Sequence, residues 1–305
     1  MSASFASRLW VYQGERFPLA KTLPLLAVFS AASITVSAVL AGRELPGVGG
    51  YLIGFGLVFI LFFQLRVCDE VKDLEDDRAY RPERPIPRGL VSLREIVTLG
   101  VATVPVAILL ATLWGHGLVW LLVLVWLWLA AMTFEFGVPE WLKARPVLYL
   151  LSHMAIMPLI DLLLTGIEWR PTGAPHPALW LFIGLSFSNG CVLELGRKLW
   201  APESEREGVD TYSRLWGPVR ATFIWLGFVA VSLVLLLGVG MATGAIWIVA
   251  PLGLVGAAVC LWAGRTYVRN LSPKDEKRVD TLAGLWVFLC YASAGFAPLL
   301  VGGAG

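Results

Sequence analysis

Nine apolar runs of about twenty residues pass through the chain, separated by short polar segments. They lie near 22–41, 48–67, 92–113, 117–136, 146–166, 177–197, 218–239, 244–264 and 281–301. An α-helix of about 20 residues, rising about 1.5 Å per residue, covers the roughly 30 Å hydrocarbon core of a bilayer. The pattern predicts an all-α polytopic membrane protein: nine transmembrane helices in one bundle, forming a single domain over residues 1–305. Only the loop VPEWLKARP parts the fourth run from the fifth. Composition agrees, with 57% hydrophobic and 15% charged residues, against roughly 25% charged in soluble domains.

The positive charges orient the bundle. With the N-terminus in the cytoplasm and nine alternating crossings, 22 of the 24 Lys and Arg residues fall on the cytoplasmic side. Only Arg43 and Arg170 fall opposite. Lysine and arginine are retained on the cytoplasmic side of short loops, so the expected topology is N-in and C-out, in the cell (plasma) membrane. A net charge of +2 indicates nothing about nucleic acid, and no nucleic-acid partner is expected. Cys68, Cys191, Cys260 and Cys290 lack metal or disulfide spacing. Two charged loops follow the second and sixth helices, the second helix of each four-helix half, as in an internally duplicated bundle.

The first of these loops lies in QLRVCDEVKDLEDDRAYRPERPIPRGLVSLR, residues 64–94. Asp69, Asp73 and Asp77 recur every four residues, which on a helix makes one slowly drifting stripe. Arg81, Arg84 and Arg88 follow on a segment broken by Pro82, Pro85 and Pro87, where helix is disfavoured and the arginines can fold back over the acids. Carboxylates suit Mg²⁺, which takes one or two of them together with water and phosphate oxygens. Guanidinium forks match phosphate. Acids and arginines together at a membrane surface suggest a metal–diphosphate site. A solvated charge run capping a helix needs neither the spacing nor the proline-stiffened arginines.

The second loop, residues 189–217, reads NGCVLELGRKLWAPESEREGVDTYSRLWG. Glu194 lies at the cytoplasmic end of the sixth run, followed by Arg197, Lys198 and Glu205, and then by Gly208, Thr211 and Gly217. On the same face as the first loop, it supplies the opposite wall of a polar cavity. Taken together, these two loops resemble the UbiA superfamily of intramembrane prenyltransferases over nearly the whole chain. The first UbiA motif, NxxxDxxxD followed by a basic RPxxxG-like run, is matched by Asp69, Asp73 and Asp77 and by Arg84 to Gly89, with Asp in place of the leading Asn. The second motif ends in GxxT and a later Gly, matched by Gly208, Thr211 and Gly217. Its acids depart from the pattern. Glu194 replaces the leading Asp, Arg197 or Lys198 takes the next acidic place, and Glu205 serves as the last.

The resemblance implies an isoprenyl diphosphate donor, a hydrophobic or aromatic acceptor, and Mg²⁺ (or Mn²⁺) held by Asp69, Asp73, Asp77, Glu194 and Glu205. Diphosphate would be bound by Arg81, Arg84 and Arg88, with Arg197 and Lys198 holding part of it directly. Lys143 and Arg145, between the fourth and fifth runs, match a basic pair that often reaches the diphosphate in the family. Polar groups within the membrane are costly. Glu135 and His153, near the same rim, are candidates to orient or deprotonate the acceptor, whereas Asp161 lies deeper and is expected to pair within the bundle. The 14 tryptophans include interfacial anchors, and none is assigned to the site from its spacing. A terpene cyclase of the same superfamily would share the ionisation site without an acceptor. A transporter would show helices broken near the midplane, and a lipid-binding scaffold has no need of the aspartate stripe.

The charge asymmetry makes a direct prediction. Accessibility tags at the N-terminus and near residue 205 should report cytoplasm, and a tag at the C-terminus the opposite side. A cytoplasmic C-terminus would refute nine crossings.

Overall fold

The computed structural model describes residues 4–302, which form helices and turns with no β-strand among them. In chain order they are α1 (Phe5–Arg16), α2 (Leu19–Leu40), α3 (Val48–Lys72), α4 (Leu74–Tyr80), α5 (Leu93–Trp114), α6 (Leu118–Thr133) and α7 (Pro139–Lys143). There follow α8 (Pro146–Met154), α9 (Ile156–Trp169), α10 (Leu179–Gly196), α11 (Tyr212–Trp216), α12 (Pro218–Ala242), α13 (Ile246–Asn270) and α14 (Pro273–Gly302). Eight helical units are long and apolar enough to cross a membrane: α2, α3, α5, α8 with α9, α10, α12, α13 and α14.

The fourth expected span is shorter than the sequence pattern suggests. α6 has 16 residues, about 24 Å at 1.5 Å per residue. It ends early because Glu135, Phe136 and Gly137 all take positive φ, at 49°, 55° and 75°. The segment nevertheless touches both poles of the bundle. The His116 carbonyl, before α6, accepts from Arg170 at 2.8 Å, and Glu135, after it, pairs with Lys72. The fifth span is two helices, meeting at Ala155. Pro158 explains the break: it has no N–H for the Met154 carbonyl, and its ring crowds that oxygen.

Helices adjacent in the chain are adjacent in space. α9, α10, α12, α13 and α14 pack in succession, α14 closes onto α2, and α2 contacts α3 and α9; α5 lies on α3, and α6 joins α5 to α9. Lipid offers no hydrophobic drive between helices, so small residues that allow close approach matter most. Gly295 of α14 is such a residue: a Cβ there would stand 2.5 Å from the Ala32 Cα of α2.

α1 lies across the acidic rim rather than through the bundle. Arg8 pairs with Glu95 at 2.8 Å, at the start of α5, where Ser92 and Glu95 form a capping box. Trp10 is exposed, as suits an aromatic side chain at a membrane interface.

Away from that rim, Asp161 is fully buried and accepts hydrogen bonds from Ser33 of α2 and Tyr291 of α14, both at 2.6 Å. One carboxyl group thus ties α9 to the two helices that close the ring. Glu168 likewise takes Ser37 at 2.6 Å and Arg43 at 2.9 Å. Asp161→Ala would leave two buried hydroxyls without an acceptor, at about 1–3 kcal/mol each. A lower melting temperature in detergent is expected, with a smaller drop for Asp161→Asn, which keeps one acceptor oxygen. Equal melting of all three proteins would show that Asp161 does not join these helices.

Candidate active site

The helical hydrogen-bond ladder continues past α3. The backbone N–H groups of Asp73, Asp77 and Arg81 donate to the carbonyls four residues earlier, at 2.9, 2.8 and 2.9 Å. Asp69, Asp73 and Asp77 thus keep helical spacing, with a single-residue interruption at Asp73 (φ −88°, ψ 4°). Asp77 is buried, and its carboxylate accepts from Arg84 at 2.6 and 2.7 Å and from Arg81 at 3.2 Å. Arg88 turns elsewhere, onto Glu15 of α1 at 2.8 and 2.9 Å. Asp69 is half-exposed, with Arg66 at 3.3 Å.

Two residues that sequence reasoning passed over complete this rim. Glu70 is buried and takes Arg16 at 2.6 Å and the Tyr12 hydroxyl at 3.3 Å, both from α1. Lys72, the last residue of α3, pairs with Glu135, donates to the Tyr149 hydroxyl at close range, and lies 3.2 Å from His153 Nε2. Lys72 is the only lysine of the 64–94 segment, but its place there does not say which acid it meets. The available signal was the spacing of Tyr149 and His153, four residues apart and so on one helix face. Their rings stack, with centroids 4.0 Å apart and an interplanar angle of 14°.

The second loop is built against the first. Glu194 is buried at the end of α10 and accepts from Arg197 at 2.5 Å and Lys198 at 3.1 Å. Glu205 accepts from the Thr211 hydroxyl at 2.6 Å and the Ser213 hydroxyl at 2.8 Å. Thr211 also caps α11 through the Arg214 N–H at 3.1 Å. Gly208 has φ +72°, and a Cβ there would stand 2.2 Å from the Tyr80 ring of α4. Arg206 faces Glu83 at 3.7 Å. Gly217, at φ +79°, makes the turn from α11 into α12. The glycines and the threonine of the second signature therefore have architectural duties: close approach, capping and turning.

Lys143 is exposed at the end of α7. Arg145 is exposed as well and lies over the Trp141 ring, 4.2 Å from its centroid, while donating to the Trp141 carbonyl at 2.9 Å. Neither is brought onto the acids in this conformation. Between α3, α6 and α8 lies a narrow cleft of about 20 Å³ lined by Leu65, Cys68, Asp69, Lys72, Leu129, Met132, Thr133 and His153. An acid of the stripe and the histidine thus line one space, no larger than about one water molecule.

A family model for UbiA prenyltransferases matches residues 32–289. The chain belongs to the UbiA prenyltransferase family. The UbiA fold is seen again among solved structures. An apo UbiA homologue from Aeropyrum pernix K1 aligns with a TM-score of 0.69 at 17% identity, over 90% of this chain and 97% of that one. A structure of digeranylgeranylglyceryl phosphate synthase in membranes aligns with a TM-score of 0.64 at 15% identity, over 95% of this chain and 99% of that one. A search of curated proteins returns no match. The UbiA protein is thus an integral membrane protein with a prenyltransferase fold.

Among the described residues of this UbiA protein, no group of three or more His, Cys, Asp or Glu side chains is gathered as a ready ligand set. Mg²⁺ does not require one, because it keeps waters and takes phosphate oxygens. Asp77, Glu194 and Glu205 already have cations or hydroxyls on them. Asp73 differs. Burial raises its carboxyl above the ordinary carboxylate range, and Asp69 and Asp77 push the same way, against the smaller opposite pull of Lys72 and Arg84. Asp69 has Arg66 beside it and Asp73 has no ion pair among the described residues; hard oxygen donors of this kind are those a divalent cation takes.

Gly208 offers a test of how the two loops are joined. Gly208→Ala combines a left-handed backbone, about 1–2 kcal/mol for an L-residue, with a clash against Tyr80. Limited proteolysis should cut the 197–211 loop faster in this variant. In a Tyr80→Ala background the added effect should shrink, since the clash is gone and only the backbone cost remains. Unchanged cleavage in Gly208→Ala would mean that the two loops do not meet there.

Proposed function

We propose that this protein is a membrane prenyltransferase that moves an isoprenyl group from an allylic diphosphate to a hydrophobic or aromatic acceptor, releasing diphosphate. The observation that carries this reading is the convergence of both motif loops at one end of a UbiA fold, with Gly208 on Tyr80 and Arg206 beside Glu83. The diphosphate sits between the loops, at the cytoplasmic rim, and the isoprenyl tail lies among the apolar helices.

Asp69 and Asp73 are the residues that would hold Mg²⁺ or Mn²⁺, with Asp77, Glu194 and Glu205 arranged around them. When bound, the cation neutralises diphosphate oxygens and makes diphosphate a better leaving group. Arg84 and Arg81 stay close to the leaving group because Asp77 anchors them, and they stabilise the charge that develops on it. Arg197 and Lys198 do the same from the opposite wall, anchored by Glu194. Arg88 reaches the donor only by releasing Glu15, and Lys143 and Arg145 only by a movement of the segment between α6 and α8. The cleft beside His153 receives the acceptor, where Glu135 and His153 orient it. Closure around the site keeps water from the allylic cation.

Diphosphate release from a prenyl diphosphate by detergent-purified protein should require Mg²⁺ or Mn²⁺ and stop with EDTA. Asp73→Asn keeps the size and removes the charge, so release should fall by at least about 10²-fold, the usual loss for an electrostatic stabiliser. Full activity in chelator, or wild-type rates in Asp73→Asn, would overturn this reading. Turnover to a cyclised product without any acceptor would instead identify a cyclase.

A further inference from the structure

The hydrogen bonds around His153 determine which of its nitrogens carries the proton. Nδ1 stands 2.9 Å from the Tyr149 backbone carbonyl oxygen. A carbonyl only accepts, so Nδ1 bears the hydrogen and donates. Nε2 of the neutral ring is then a bare lone pair, and it accepts from the Lys72 ammonium at 3.2 Å. The ring cannot turn to exchange these roles freely, because it stacks on Tyr149 and meets the edge of Phe136.

Glu135 faces the same point. Its Oε1 is engaged by Lys72 and by the Tyr149 hydroxyl, the latter at 3.2 Å. Its Oε2 is buried, makes no hydrogen bond, and lies 3.3 Å from His153 Nε2. Two electron pairs therefore face each other across a hydrogen-bond distance with no proton between them. A buried acceptor without a donor costs about 1–3 kcal/mol. The residue that bears it also has left-handed backbone, as does Phe136 after it, a conformation that persists in non-glycine residues only where its surroundings impose it. The left-handed turn at the end of α6 is what brings the carboxylate inward onto the lysine and the histidine.

We propose that the gap between His153 Nε2 and Glu135 Oε2 receives the proton that the acceptor loses, and that Lys72 is the positioning residue that keeps the gap unprotonated until then. The proposal rests on the prenyl-transfer reading above. The step balances without any further reactant. The allylic C–O bond breaks and its electron pair leaves with diphosphate. The acceptor atom forms the new bond to carbon, and the acceptor's proton passes to the pair, where nitrogen and carboxylate oxygen share it. Lys72 matters because its fixed positive charge balances Glu135, so the neutral ring has no need to take up a proton in the resting state. It is also the residue next to Asp73, which places the proton-receiving gap beside the donor's acids. The charged and titratable groups facing His153 are Lys72, Glu135 and Tyr149, with Asp69 lining the same cleft.

The state of His153 can be read directly, without substrate. The chain has three histidines, and ¹⁵N-labelled imidazole signals of the full-length protein in detergent at neutral pH can be assigned by the loss of one set in His153→Asn. Wild type should show a neutral His153 protonated at Nδ1. Lys72→Met leaves Glu135 without its cation, so His153 should become an imidazolium bridged to Glu135. Lys72→Arg should restore the neutral ring. A wild-type ring protonated at Nε2, or a ring that stays neutral in a folded Lys72→Met protein, would overturn the proposal. Should Lys72→Met fail to fold, the wild-type tautomer and the Lys72→Arg spectrum decide it. Because these signals need no turnover, failure of the prenyl-transfer reading, seen as no cation-dependent diphosphate release, remains a separate result.

Discussion

A carboxylate withdrawn from water at a membrane rim must be met by a cation or by hydrogen-bond donors, because the cost of leaving it bare is several kilocalories per mole. How each acid at this end of the bundle is met organises this protein. Glu70 is met by Arg16 of α1, Asp77 by Arg81 and Arg84, Glu194 by Arg197 and Lys198, Glu135 by Lys72, and Glu205 by two hydroxyls. Glu70 with Arg16, Asp77 with Arg84 and Glu135 with Lys72 tie one segment to another, whereas the partners of Glu194 and Glu205 are local. Asp73 stands apart, with its charge opposed by its neighbours, and this is where a further cation has most to gain.

The backbone supplies the second half of the arrangement. Helix α3 runs past its apolar stretch and delivers Asp69 and Lys72 to the rim, while α6 stops short and swings Glu135 inward through left-handed residues. Had α6 continued as a regular helix over the full apolar run, Glu135 would lie about half a turn further along and face wherever the helical phase put it. The early stop exchanges transmembrane length for an inward-facing carboxylate. Gly208 does the corresponding work in the other loop, allowing it to close to within contact of Tyr80.

Within this frame the protein separates two tasks. The motif acids and arginines pair with one another at the rim, whereas Lys72, Glu135, Tyr149 and His153 form a charge-balanced, largely buried cluster that shares a cleft with Asp69. On the prenyl-transfer reading proposed above, charge is concentrated where the leaving group would carry it and balanced pair by pair where a neutral acceptor would approach.

Much of this was legible in the chain itself. Apolar runs announced eight of the nine expected spans, the four-residue recurrence of Asp69, Asp73 and Asp77 announced a helical stripe, and the two loop signatures announced the UbiA family, because each is a pattern of neighbours along the backbone. Local pattern also marked Glu135 and His153, since polar residues within membrane helices are costly and need a reason. What the sequence could not determine is which cation meets which acid. Lys72 looked like one more positive-inside charge, Glu70 like a bystander, Arg88 like a partner of the stripe, and Glu205 like a free ligand. Those pairings join residues up to 125 positions apart, as Arg43 and Glu168 are, and they depend on how helices pack and where they stop. Hydropathy decides which segments enter the bilayer. Only the close approach of the packed helices, and the desolvation it forces on each charge, decides what the charges do there.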